Sequence, residues 1–174
     1  MTIYEKEQKI MESLWQILSG APWWVYLLFI YILIIGIKSI KPRTTSINKI
    51  VLFPLFFVAL SVYTLYKNVS LGYPLLIPCW IIFLSIGAYL GFKEVQSWHF
   101  EKNRLKRTLK IPGNYSTLIL LLLIFILKFF WGYFYATLSN IPHWIYFADT
   151  ITSSIVTGFF IGRASYFFKS YQEK

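Results

Sequence analysis

One cysteine, Cys79, and two histidines are the only thiol and imidazole side chains in this chain. A single thiol excludes an internal disulfide, a Cys-x-x-Cys redox pair and a thiolate metal site. His99 and His143 are expected on opposite sides of the apolar segments and cannot share a metal. Acidic residues are scarce too: seven Asp and Glu stand against seventeen Lys and Arg. There is no glycine-rich phosphate loop and no nucleophile–base pair, so neither a catalytic centre nor a cofactor is expected. Long polar stretches are also missing, which leaves no room for a separate soluble domain. No cleavable signal peptide is expected, because the N-terminus mixes acidic and basic residues and the first apolar run begins late.

Apolar surface is what the chain has in excess. Of its 174 residues, 57% are hydrophobic and 21% aromatic. On a soluble domain that composition would leave apolar patches of a size such domains rarely tolerate. Several runs approach or exceed the roughly 20 apolar residues that cross a bilayer core of about 30 Å. The expected fold class is therefore all-α: a single polytopic membrane domain over 1–174, built as a bundle of five spans at about 21–37, 50–66, 71–92, 115–136 and 144–168.

Residues 1–20 place Ile3, Ile10, Leu14 and Ile17 at helical spacing, with Glu5, Lys6, Lys9 and Glu12 elsewhere. This amphipathic helix either lies in the membrane interface or packs against the bundle. Pro54 is expected near the start of the second span, and Pro78 is expected to bend the third. The polar connection 93–113 either continues the third helix or folds as a short hairpin around Lys102-Asn103.

The net charge of +10 would suggest nucleic acid in a soluble protein. No recognition module accompanies the charge, so no nucleic-acid partner is expected. The positive-inside rule explains it better. Thirteen of the seventeen cations lie after spans one and three and at the C-terminal end. That puts the N-terminus outside and the C-terminus in the cytoplasm. Arg43, Arg104, Arg107 and Arg163 are expected to form a basic surface against lipid headgroups.

Two residues are out of place in hydrocarbon. Lys128 lies in the fourth span and Asp149 near the start of the fifth, about 12 and 7.5 Å below the outer surface at 1.5 Å per residue. A short turn at Asn140-Ile-Pro142-His143 joins these segments, so a lysine stem can bridge to the carboxylate. An ionisable residue inside a span is a functional-site hypothesis by default. The alternatives are a structural clamp, or a lysine that reaches outward alone. Asp149, Thr152, Ser153 and Thr157 share a stripe of the fifth span, giving a polar lining for a small-solute or ion site. Thr150, Ser154, Gly158 and Gly162 share an adjacent stripe at i+4 spacing, with Gly87 and Gly91 offering the same in the third span. Small residues so spaced let helix backbones approach closely, within a bundle or between protomers.

A weak internal repeat is also legible. Pro42-Arg-Thr-Thr-Ser46 parallels Pro112-Gly-Asn-Tyr-Ser116, and Gly87-Ala-Tyr-Leu-Gly91 parallels Gly158-Phe-Phe-Ile-Gly162. The offsets nearly match, as a parallel repeat of two helix hairpins requires.

With APWWVYLL at the first span, KPRTTS before the second, IPGNYSTLILLLLIFILKFFWGY at the fourth and GFFIGRA in the fifth, the chain resembles a family of small, uncharacterised bacterial inner-membrane proteins of unknown function. It is more distantly similar to small membrane proteins linked to cytochrome c biogenesis, whose thiol relay the lone Cys79 does not support. The resemblance implies a bacterial inner-membrane setting and no assigned activity. A non-enzymatic protein is expected, binding or permeating a small solute or ion, as a homo-oligomer. The rival reading is an accessory subunit of a larger membrane complex.

Overall fold

The computed structural model describes residues 20, 22–98, 101–103 and 108–172. The amphipathic helix expected at 1–20 therefore lies, Gly20 apart, outside the described residues. Five helices and three short strands are described. Helix α1 spans Trp23–Ser39, strand β1 Arg43–Ser46, α2 Ile47–Ser70 and α3 Leu76–Gln96. They are followed by β2 (Glu101–Asn103), β3 (Thr108–Ile111), α4 (Tyr115–Thr137) and α5 (His143–Gln172). Helices α3, α4 and α5 are long and apolar enough to cross a membrane, and α1 is a shorter apolar helix of 17 residues.

Local chemistry sets the helix ends. Pro22 precedes α1 with extended ψ of 145°, and the pre-proline position Lys41 disfavours helix beyond it. Asn114 caps α4, its side-chain oxygen accepting from the Ser116 N–H at 2.8 Å. Between α2 and α3 the chain turns at Gly72, whose φ of +97° suits a residue without a Cβ. That turn moves the start of α3 from the expected 71 to Leu76. Pro78 consequently sits in the first turn, where its missing N–H has no intrahelical partner to lose, so the bend expected there has no cause. The reverse holds for Pro54. Helix α2 begins at Ile47, before the apolar run, so Pro54 lies inside it and removes a helical hydrogen bond. Apolar runs mark where lipid can be met, whereas helical bonding continues into polar ends.

The three strands form an antiparallel sheet of order β1-β3-β2, with Arg43 opposite Ile111 and Glu101 opposite Lys110. The connection after α3 is thus a hairpin, paired to the strand before α2, and the all-helical expectation needs this small addition. Arg43 lies on β1; Arg104 and Arg107 fall outside the described residues.

Contacts fix the relative directions. Gly87 meets Ile155 and Gly91 meets Phe159, so α3 and α5 run parallel. Phe57 bonds Thr157 while Asn68 bonds Thr150, so α2 and α5 are antiparallel. Phe29 packs on Phe125 and Gly36 on Leu118, which makes α1 and α4 antiparallel. Successive helices alternate, and the sheet sits at the end where α1 and α3 finish.

Among the described helices, the α3–α5 seam is the closest. A Cβ on Gly87, Gly91, Gly158 or Gly162 would run into the facing backbone carbonyl of Ile155, Phe159, Leu84 or Ala88. Both stripes of small residues are therefore used against each other inside the bundle. Ser154 is fully buried and bonds back to the Thr150 carbonyl at 2.5 Å. Helix α5 is the most buried span and the least apolar of the three. In a bundle whose outside is this apolar, polar residues gather on the central helix. Phe57 stacks on Phe160 at 4.5 Å, beside Leu121 and Ile124, to form the apolar core between α2, α4 and α5.

Candidate functional site

The short connection between α4 and α5 forces these helices side by side, and their charges meet. Lys128 Nζ donates to Asp149 Oδ1 at 2.9 Å and to Ser153 Oγ at 2.6 Å. The second carboxylate oxygen accepts from Tyr135 at 3.4 Å. Asp149 is 9% exposed at its side chain and Lys128 43%, so the carboxylate is covered while the ammonium keeps one open side. One turn away, Trp131 Nε1 donates to Thr152 Oγ1 at 3.0 Å.

The expected polar stripe of α5 is divided by its neighbours. Asp149, Thr152 and Ser153 face α4. Thr157 does not join them: its hydroxyl donates to the Phe57 carbonyl of α2 at 3.0 Å, a bond between helices. Thr150 faces α2 as well, accepting from Asn68 Nδ2 at 2.9 Å. The amide orientation of Asn68 follows from a second contact to the Tyr146 carbonyl, which can only accept.

Two cavities border Lys128. A polar one of about 220 Å³ lies between α2, α4 and α5 and is lined by Tyr63, Lys67, Asn68, Tyr135 and Asp149, among others. Lys67 projects there with its ammonium 4.8 Å from the Tyr135 ring centre. An apolar one of about 500 Å³ lies between α1 and α4, lined by Trp24, Val25, Leu28, Phe125 and Phe129. Lys128 and Gly132 line both.

A second buried charge cluster occupies the sheet end. Arg163 is 6% exposed. Its guanidinium grips Glu94 with two bonds of 2.6 Å, Nε to Oε2 and Nη2 to Oε1. It also donates to Ser116 Oγ at 2.9 Å and Thr117 Oγ1 at 3.3 Å, while the Ser116 hydroxyl bonds Glu94. The Trp98 and Phe159 rings cover its faces at 5.3 and 4.8 Å. The expectation that Arg163 reaches lipid headgroups is corrected here. A desolvated guanidinium needs a carboxylate more than a phosphate outside, and Glu94 is within reach because α3 and α5 touch through glycine.

Sequence reasoning passed over Glu94, Asn68, Lys67 and Tyr135. Glu94 was open to detection as one of only seven acidic residues, two positions after the apolar run of its span. Asn68 and Lys67 read as an ordinary polar span end, and only tertiary contact sets them apart. No family model matches the chain, and no match was found among curated proteins or solved structures.

Proposed function

We propose that the chain is a five-span protein of a bacterial inner membrane, N-terminus outside and C-terminus cytoplasmic, that binds and passes a small solute or ion at the Lys128–Asp149 site. The observation that carries this reading is the half-exposed, ion-paired Lys128 on the wall of a polar cavity inside an otherwise apolar bundle. An ion pair serving only as a clamp gains by being covered, since water and open space weaken it. Here the ammonium is left open towards a cavity with a second cation, Lys67.

The alternating helix directions support the five-span topology, because they bring Lys38, Lys41 and Lys93 to one end of the bundle. The proposed repeat is supported by the shared order strand–helix–helix in β1-α2-α3 and β3-α4-α5, by the β1–β3 pairing and by the matched glycines of α3 and α5. At the repeat offset Lys128 maps near Phe57 or Val58, and Asp149 onto Pro78 or Cys79. The charges belong to the second half alone.

The rival accessory role relied on small-residue stripes as a docking face. Those stripes are covered within the bundle, so a homo-oligomer or a larger partner would have to meet the lipid-facing side chains instead. The protein reconstituted in liposomes tests the proposal. Solute or ion flux should fall at least tenfold in Asp149→Asn and Lys128→Met proteins that remain folded, the loss expected when a charge-assisted contact worth about 1.5–3 kcal/mol is removed. Flux equal to that of the unaltered protein would reject the site.

A further inference from the structure

The two cavities beside Lys128 differ in chemistry and share a wall. Lys128 and Gly132 stand one turn apart on α4, and both border the polar cavity on one side and the apolar cavity on the other. Among the described residues, Gly132 has nothing within 4 Å of where a Cβ would be, unlike the packed glycines of α3 and α5. A glycine that no neighbour requires leaves open space between the cavities.

The free charge on the polar side is positive. Asp149 has both oxygens engaged, by Lys128, Ser153 and Tyr135. Lys128 spends two of its three protons on Asp149 and Ser153, and Lys67 contributes a further ammonium. A volume of about 220 Å³ is below the ~300–1,000 Å³ usual for whole small-molecule sites and suits a head group of a few atoms. The adjoining apolar cavity, about 500 Å³, suits a hydrocarbon chain.

Lys128 lies nine residues before the end of α4 at Thr137, about 13.5 Å along the helix at 1.5 Å per residue. That depth is too great for the head group of a two-chain lipid seated in the bilayer surface.

We propose that the polar and apolar cavities form one site for a single-chain amphiphilic carboxylate, with its carboxylate between Lys67 and Lys128 and its chain passing Gly132 into the groove between α1 and α4. The proposal rests on the reading of the Lys128–Asp149 cavity as a binding site and assigns its ligand class. Charge complementarity selects an anion, and the glycine window selects a chain attached to it.

The test is calorimetric binding to full-length protein in nanodiscs, with empty nanodiscs subtracted. The probes are sodium octanoate, sodium acetate and octyltrimethylammonium. Octanoate should bind more tightly than acetate, each buried methylene adding up to about fourfold. Lys67→Gln should weaken both anions alike, whereas Gly132→Leu should weaken octanoate at least tenfold more than acetate. The open space at Gly132 makes that variant compatible with folding, and Gly132→Ala provides a milder version. If octyltrimethylammonium binds as well as octanoate, or Gly132→Leu leaves octanoate unaffected, the inference fails. If acetate binds and octanoate gains nothing, the inference also fails while the cavity remains a binding site. If none of the three binds, the site reading fails with it.

Discussion

Removing Arg163 should unsettle the bundle more than removing any cation at its surface. In Arg163→Met the Glu94 carboxylate keeps, among the described residues, only the Ser116 hydroxyl as a partner in a largely desolvated position. Breaking one partner of a buried pair costs about 3–5 kcal/mol, because the other charge is left uncompensated. The side chains of Arg163 and Glu94 are 8% and 24% exposed, so solvent screening takes little from that figure. The lost contacts with Trp98 and Phe159 act in the same direction. For a domain of this length, a loss of that size lowers the unfolding midpoint by roughly 6–20 °C at about 2–4 °C per kcal/mol. Glu94→Leu should cost a comparable amount. The double variant Glu94→Leu/Arg163→Met should recover much of the loss, since apolar residues of similar volume replace buried ion pairs at little cost. Reversible unfolding in mixed micelles gives the four corners of the cycle. A coupling of about 2 kcal/mol or more is expected. Single variants each below about 1 kcal/mol with an additive double would refute the claim that this pair ties α3 and α5 together.

The glycine seam and the topology give two further expectations. Gly158→Ala forces a methyl onto the Leu84 carbonyl and should destabilise by about 1–3 kcal/mol, whereas Gly132→Ala, in open space, should be neutral or stabilising by up to about 1 kcal/mol; the two midpoints compared in one detergent decide it. For topology, Asn103→Cys in a Cys79→Ser background should react with a membrane-impermeant maleimide in inverted vesicles and not in intact cells. Labelling from the periplasmic side would reverse the proposed orientation.

Much of this structure was legible without coordinates wherever the cause is local. A run of about twenty apolar residues favours a helix in lipid because a helix satisfies every backbone group within its own segment. All five helices accordingly fall where the apolar runs predict them, with ends shifted by a few residues at Gly72 and at the polar termini. The Lys128–Asp149 contact was legible for the same reason: a turn of a few residues leaves two antiparallel helices no choice but to be neighbours. The polar face of α5 showed in its periodicity, though not how that face divides.

What the tertiary structure alone decided concerns residues far apart in the chain. Nothing local to Arg163 distinguishes a headgroup-reaching cation from one buried against Glu94, 69 residues earlier. Thr157 looked like cavity lining and is a bond to α2, because its helix packs against α2, α3 and α4 at once. The glycine stripes announced a close approach but not a partner, since spacing fixes the shape of a face and only complementarity selects what fills it. Gly132 carried no periodic signal at all. Its meaning lies in the space around it, the one quantity a linear chain does not encode residue by residue.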